Sequence, residues 1–137
     1  MTGLPPDVRP GLIGRAELIV GTNDTAPRVG SGRVAVLATP VMISVIEAAA
    51  LDAVEHLLED GKQSLGTRLD VSHVAATPVG MRLTATAELV AVDGRQLTFH
   101  VRAEDEVDLV SEGTHSRVVV DVARFDARLR RKLPKRG

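Results

Sequence analysis

The run Thr39-Pro-Val-Met-Ile-Ser-Val-Ile-Glu-Ala-Ala-Ala-Leu-Asp52 carries one charge, Glu47, before it reaches Asp52. Its opening reads as a helix start: threonine can cap, and proline suits the first helical position, where its missing N–H is not needed. From Val41 to Leu58 the residues are helix-compatible, and as far as Asp52 they are apolar on nearly every face. Such a helix must be wrapped by other structure. Asp60-Gly61 ends it. Extended back to Val34, the apolar run looks at first like a membrane span, but Pro40 interrupts it and it is barely long enough. A buried core helix is the expected element.

The flanking sequence supplies strands. Upstream, Ala16, Leu18 and Val20 share one parity within Gly11–Val20, and Gly21–Gly32 has loop composition. Downstream, Thr67–His73 alternates, with Thr67, Leu69, Val71 and His73 expected on one face. Pro78-Val79-Gly80 is a turn, and Met81–Val92 alternates again through Leu83, Ala85, Ala87 and Leu89. Asp93-Gly94 signals a hairpin whose return strand carries Leu97, Phe99, Val101 and Ala103. Acidic residues from Glu104 to Asp108 turn the chain into a last strand, Leu109–Val122, through Gly113. One strand, a buried helix and an antiparallel meander make an α+β plan, a curved sheet wrapped around one apolar helix. Its sheet edges and leftover apolar surface favour a dimer.

Composition bounds the possibilities. A chain of 137 residues with 44% hydrophobic and 26% charged residues is expected to form one compact domain, 1–137. It has no Trp or Tyr and only two Phe, Phe99 and Phe125, so Ala, Val, Leu and Ile must build a core whose layers sit close together. The same shortage counts against aromatic cages and against nucleic acid as a partner, which single-stranded binders hold by stacking. Cysteine is absent, which excludes disulfides, thiolate metal sites and cysteine nucleophiles. Met1–Pro10 has no apolar run of the secretory kind, which points to the cytoplasm, with no membrane partner. Net charge is −1, but positions 1–123 hold 10 basic and 17 acidic residues, a net of −7, while positions 124–137 hold seven basic residues and one acid. That tail reads as a short terminal helix followed by a disordered end, although such a basic segment can also attract phosphate.

Few side chains are candidates for chemistry. Glu47 sits mid-helix with Ile43, Ser44, Ala50 and Leu51 as its near neighbours, and no cation lies between Arg33 and Lys62 to pair with it locally. A carboxylate in apolar surroundings is expected to have its pKa raised by desolvation, toward the range useful for acid–base work. Thr39 is by itself a plain cap, but the free N–H groups of a helix start can hold a carbonyl oxygen that turns negative. The histidines show no metal-ligand spacing, and HExxH, GxSxG, GxGxxG and Walker patterns are absent, so neither a metal nor a cofactor is expected.

Four segments then carry a resemblance over about Leu37–Arg128: Leu37-Ala-Thr-Pro-Val-Met-Ile-Ser-Val-Ile-Glu47-Ala, Ser64-Leu-Gly-Thr67, Val71-Ser-His73-Val-Ala-Ala-Thr-Pro-Val-Gly80-Met and Gly113-Thr-His-Ser-Arg117. In this order and spacing they resemble the hotdog-fold acyl-CoA thioesterases of the fluoroacetyl-CoA thioesterase type. The resemblance implies hydrolysis of an acyl-CoA thioester by a Thr–Glu–His set falling on Thr39, Glu47 and His73. It implies ligand contacts at Gly66, whose backbone can approach the thioester, and at Arg117, a partner for coenzyme A phosphates or carbonyls. It also implies a homodimer with sites at the subunit interface, with pairing into a dimer of dimers left open. A non-catalytic acyl-CoA-binding or regulatory hotdog protein is the alternative. A hotdog hydratase normally leans on an Asp/His pair, which Glu47 with Thr39 fits less well. In one respect the chain departs from the pattern. Fluoroacetyl-selective members resemble one another in having phenylalanines before the catalytic threonine, whereas Ala26–Ala38 has none and holds Gly30, Gly32 and Arg33. A short- or medium-chain acyl group other than fluoroacetyl is therefore the expected substrate.

Overall fold

The computed structural model describes residues 3–134. Its strands are β1 (Ile13–Ile19), β2 (Lys62–Val71), β3 (Arg82–Asp93), β4 (Gln96–Glu104) and β5 (Leu109–Asp121). Its helices are α1 (Ala26–Val29), α2 (Thr39–Val54) and α3 (Val122–Arg130). The strands form one antiparallel sheet in the order β1-β3-β4-β5-β2, with α2 packed on its inner face, as the α+β reading expects. Among the described residues, no helix is long and apolar enough to cross a membrane.

The buried residues of α2 are Met42, Val45, Ile46, Ala49, Ala50, Ala53 and Val54, the spacing of one helical face. They meet inward-facing residues from neighbouring strands: Leu83, Ala85, Ala87 and Leu89 of β3, and Leu97, Phe99, Val101 and Ala103 of β4, all fully buried. In register, Leu89 lies opposite Phe99 and Ala87 opposite Val101. Small residues do bring the layers together. Gly14 of β1 lies directly under the backbone of α2 at Ala49 and Ala53, with no room for a side chain between them.

Several sequence expectations change. Helix α2 begins at Thr39 with Ala38 as its N-cap, so Thr39 is not the cap, and Pro40 is the second helical residue. The helix ends at Val54 and tightens into a 3-10 turn, Glu55–Leu57, rather than running to Leu58. It is also not wrapped on every side. It packs over β1 and β3, touches β4 lightly, and leaves Ser44 and Ala48 exposed and Ile43, Glu47 and Leu51 half-buried. Strand β2 starts five residues earlier than its alternation suggests and ends at Val71, so His73 lies beyond it. Its register slips between Gly66 and Arg68, a bulge at Thr67. The first half of β2 shows no apolar alternation because its inner side chains meet a buried arginine instead of the core. Asp93-Gly94 turns as expected, with Gly94 at φ +60 and Gln96 paired to Asp93. The expected terminal helix is α3, capped by the Asp121 carboxylate, which accepts from Arg124 N at 3.1 Å. The expected disordered end falls in part on residues 135–137, outside the described residues.

Gly14→Ala should destabilise the fold by about 1–3 kcal/mol, because its methyl would strike main chain that cannot step aside. Denaturant unfolding measures this, and an unchanged midpoint would contradict the close β1–α2 packing.

Candidate active site

Two polar clusters lie along α2. The first is at its start, where Thr39 Oγ1 and His73 Nδ1 are 2.7 Å apart. The loop that brings His73 there is pinned on both sides: Ser72 N donates to Glu112 O (3.1 Å), Val74 N to Val110 O (2.9 Å) and Leu37 N to Thr77 O (2.9 Å). The Thr39 hydroxyl is free for His73 because it does not cap the helix. The expected row of free N–H groups shrinks to one. Ala38 N donates to Asp24 O, Pro40 has none, and Val41 N and Met42 N donate to Ala38 O. Thr39 N alone has no partner among the described residues. Burial lowers the His73 pKa below the ordinary histidine value, the backbone of Ala75 opposing it, which favours the neutral ring. Beside it lies an open hollow of about 290 Å³ lined by Val36, His73, Val74, Ala75 and Ala76. From the aromatic-free segment, Val36 and not Arg33 lines that hollow.

The second cluster centres on Arg117, whose side chain is 6% exposed. Its Nε donates to Ser64 Oγ (2.8 Å) and its Nη2 to Ser64 O (2.9 Å). Nη1 donates to His115 Nε2 (3.1 Å) and to Glu47 Oε2 (3.3 Å). Ser64 Oγ in turn donates to Glu55 Oε1 (2.7 Å). His115 Nδ1 lies 2.8 Å from Arg68 O, a carbonyl that can only accept, so the proton sits on Nδ1 and Nε2 is left to receive from Arg117. That neutral tautomer agrees with a pKa lowered first by burial and further by the Arg117 charge, against opposing contributions from Arg68 O and Glu47. The His115 ring also stacks on Phe99, with centroids 6.2 Å apart.

The expected residues therefore divide. Thr39 and His73 touch each other, while Glu47 touches Arg117. Eight residues along a helix separate Thr39 from Glu47 by about 12 Å. Glu47 is not enclosed by apolar groups: its side chain is 36% exposed, and its cation comes from β5, a partner no local reading could find. Arg117 is buried and engaged, so it holds Glu47 rather than offering itself to a phosphate. Gly66 lies beneath the carboxylate, where an added Cβ would stand 2.5 Å from Glu47 Oε2. Ser64, Glu55 and His115 join this cluster although the sequence reading does not name them as site residues. The signal available was parity, since His115 and Arg117 share one face of β5, as Ser64 and Gly66 share one face of β2.

The family model described as fluoroacetyl-CoA-specific thioesterase matches residues 20–123. A fluoroacetyl-CoA thioesterase of Streptantibioticus cattleyicolor is 46% identical over 99 residues, which cover 72% of this chain and 71% of that protein. A solved structure of the fluoroacetyl-CoA thioesterase FlK is 37% identical, with a TM-score of 0.88 over 93% of this chain and 98% of that one. A thioesterase superfamily member of Thermus thermophilus is 27% identical, with a TM-score of 0.83 over 90% of this chain and 92% of that one.

Gly66→Ala should separate activity from stability. Its methyl would stand 2.5 Å from the flexible end of Glu47 and 3.2 Å from the buried His115 ring, so Glu47 must swing away from Arg117 while the ring gives a little, and the loss of stability should be small beside the loss of turnover. Turnover should fall by about tenfold or more. An unchanged turnover would show that the position of Glu47 over Gly66 is unimportant.

Proposed function

The chain belongs to the fluoroacetyl-CoA-specific thioesterase family, and on that premise we propose that it hydrolyses a short- or medium-chain acyl-CoA to the free acid and coenzyme A in a site completed by a second copy of the chain. The observation that carries this reading is a family match joined to a carboxylate, Glu47, held over a bare glycine backbone by a buried arginine. The cytoplasm, where acyl-CoA is at hand and no disulfide is needed, is the compartment we infer.

The reacting carbonyl lies near the start of α2, its oxygen facing Thr39 N–H and the Thr39 hydroxyl. Negative charge that develops there is favoured by both donors and by the positive end of the helix. Neutral His73, in hydrogen-bond reach of the hydroxyl, orients it and the attacking water. Glu47 acts in one of two ways. It takes a proton from water that adds to the carbonyl, or it adds to the carbonyl itself and gives a mixed anhydride that water then opens. On either route the carbon–sulfur bond breaks and coenzyme A leaves as a thiolate that takes up a proton.

Distance favours two chains per site. Thr39 and Glu47 of one α2 are about 12 Å apart, whereas reacting groups stand about 3 Å from a shared substrate. A two-fold axis through the exposed face of α2 reverses the second helix, so Glu47 of one copy approaches Thr39 and His73 of the other. The same operation pairs the free edge of β2, at one end of the sheet, with its mate. The lack of aromatic side chains in Ala26–Ala38 favours an acyl group other than fluoroacetyl.

Glu47→Gln and His73→Ala should each lower turnover by at least ~100-fold against a panel of acyl-CoAs followed by free thiol. Near-normal hydrolysis by both would refute the assigned residues. Tight acyl-CoA binding by the unaltered protein without thiol release would favour the non-catalytic binder.

A further inference from the structure

At the far end of β2 a cleft of about 370 Å³ gathers cations from three separate parts of the fold. Lys62 opens β2, Arg95 sits in the β3–β4 hairpin, and Arg124 and Arg128 come from α3. Among the described residues, none of the four has a carboxylate within salt-bridge distance. Asp121 also lines the cleft and is Lys62's cross-strand partner, but its Oδ1 is occupied in capping α3. Arg124 and Arg128, four apart on one helix, are like charges on one face, a pairing that destabilises an isolated helix. An arrangement this one-sided makes physical sense when an anion fills it.

Positions 1–123 carry a net charge of −7. A polyanion meeting this protein is repelled by most of its surface and steered to the basic end. We infer that this cleft binds the 3′-phosphorylated ADP end of the coenzyme A thioester, an inference that rests on the thioesterase reading. Lys62 lies about 13 Å along β2 from Gly66, at about 3.3 Å per residue, a span suited to the long pantetheine arm between the thioester and the diphosphate. The cations meet the diphosphate and the 3′-phosphate, while Leu4 and Val119 give the adenine an apolar surface. This assigns the phosphate contact to residues other than Arg117, whose guanidinium is buried and engaged.

The test compares acyl-CoA with the matching acyl-pantetheine, which presents the same thioester without a nucleotide, and uses adenosine 3′,5′-bisphosphate as a probe in calorimetry. In Arg124→Ala/Arg128→Ala the ratio of kcat/KM for acyl-CoA to that for acyl-pantetheine should fall by about tenfold or more, the scale of losing charge-assisted hydrogen bonds. Arg130→Ala removes a charge from α3 outside the cleft and should leave that ratio unchanged. The bisphosphate should bind the unaltered protein, compete with acyl-CoA and bind weakly to the double variant. An equal loss for both thioesters, or no loss, would overturn the assignment. So would bisphosphate binding that does not compete with acyl-CoA, which would mark a separate anion site. Binding of the probe is read without turnover, so a failure of the thioesterase reading is distinguishable from a failure of this site.

Discussion

A guanidinium taken out of water must find acceptors for its protons, and Arg117 organises half of this fold by that demand. Four of its five N–H groups are directed at Ser64 Oγ, Ser64 O, His115 Nε2 and Glu47. Each acceptor imposes a further requirement. Ser64 is held by Glu55 in the turn that ends α2, and His115 must keep its proton on Nδ1 for Arg68 O. Glu47 needs an absent side chain at position 66. The network ties the end of α2, the first half of β2 and the middle of β5 into one unit, and it leaves a carboxylate at the margin of the solvent.

The second constraint is where α2 sits. Small residues at Gly14, Ala49 and Ala53 let the helix settle onto β1 and β3. This placement fills the core with few aromatic side chains, and it leaves most of β2 and the outer flank of α2 without a cover. The two polar clusters open onto that uncovered side. In the proposed dimer a second helix occupies it, so the packing that compensates for the shortage of aromatics also creates the place for a shared site.

Much of this is legible in the sequence, for reasons specific to each element. The strands β3 and β4 alternate cleanly because their inner residues are themselves apolar and fully buried in the core, and Asp93-Gly94 marks their turn. Helix α2 is legible as a helix but not in its orientation, since its apolar residues run around every side and only the burial of Met42 to Val54 reveals the packed face. Glu47 and Thr39 stand out by their place in an apolar helix, whereas Gly66, His73 and Arg117 stand out only through family resemblance. Their division into two clusters does not, because it depends on a bulge at Thr67, on a strand that ends before His73 and on an ion pair 70 positions apart in sequence. The basic tail is visible as composition, yet its convergence with Lys62 and Arg95 appears only once the hairpin and α3 are placed beside the start of β2.

In the proposed dimer Thr39 and His73 of one chain work with Glu47 of another. Mixing Glu47→Gln and His73→Ala proteins under conditions that exchange subunits tests it most directly. Each mixed dimer would regain one site with every group intact, so an equal mixture should recover about a quarter of the unaltered activity. Activity that stays at the level of the separate variants, in a mixture shown to contain mixed dimers, would contradict the account.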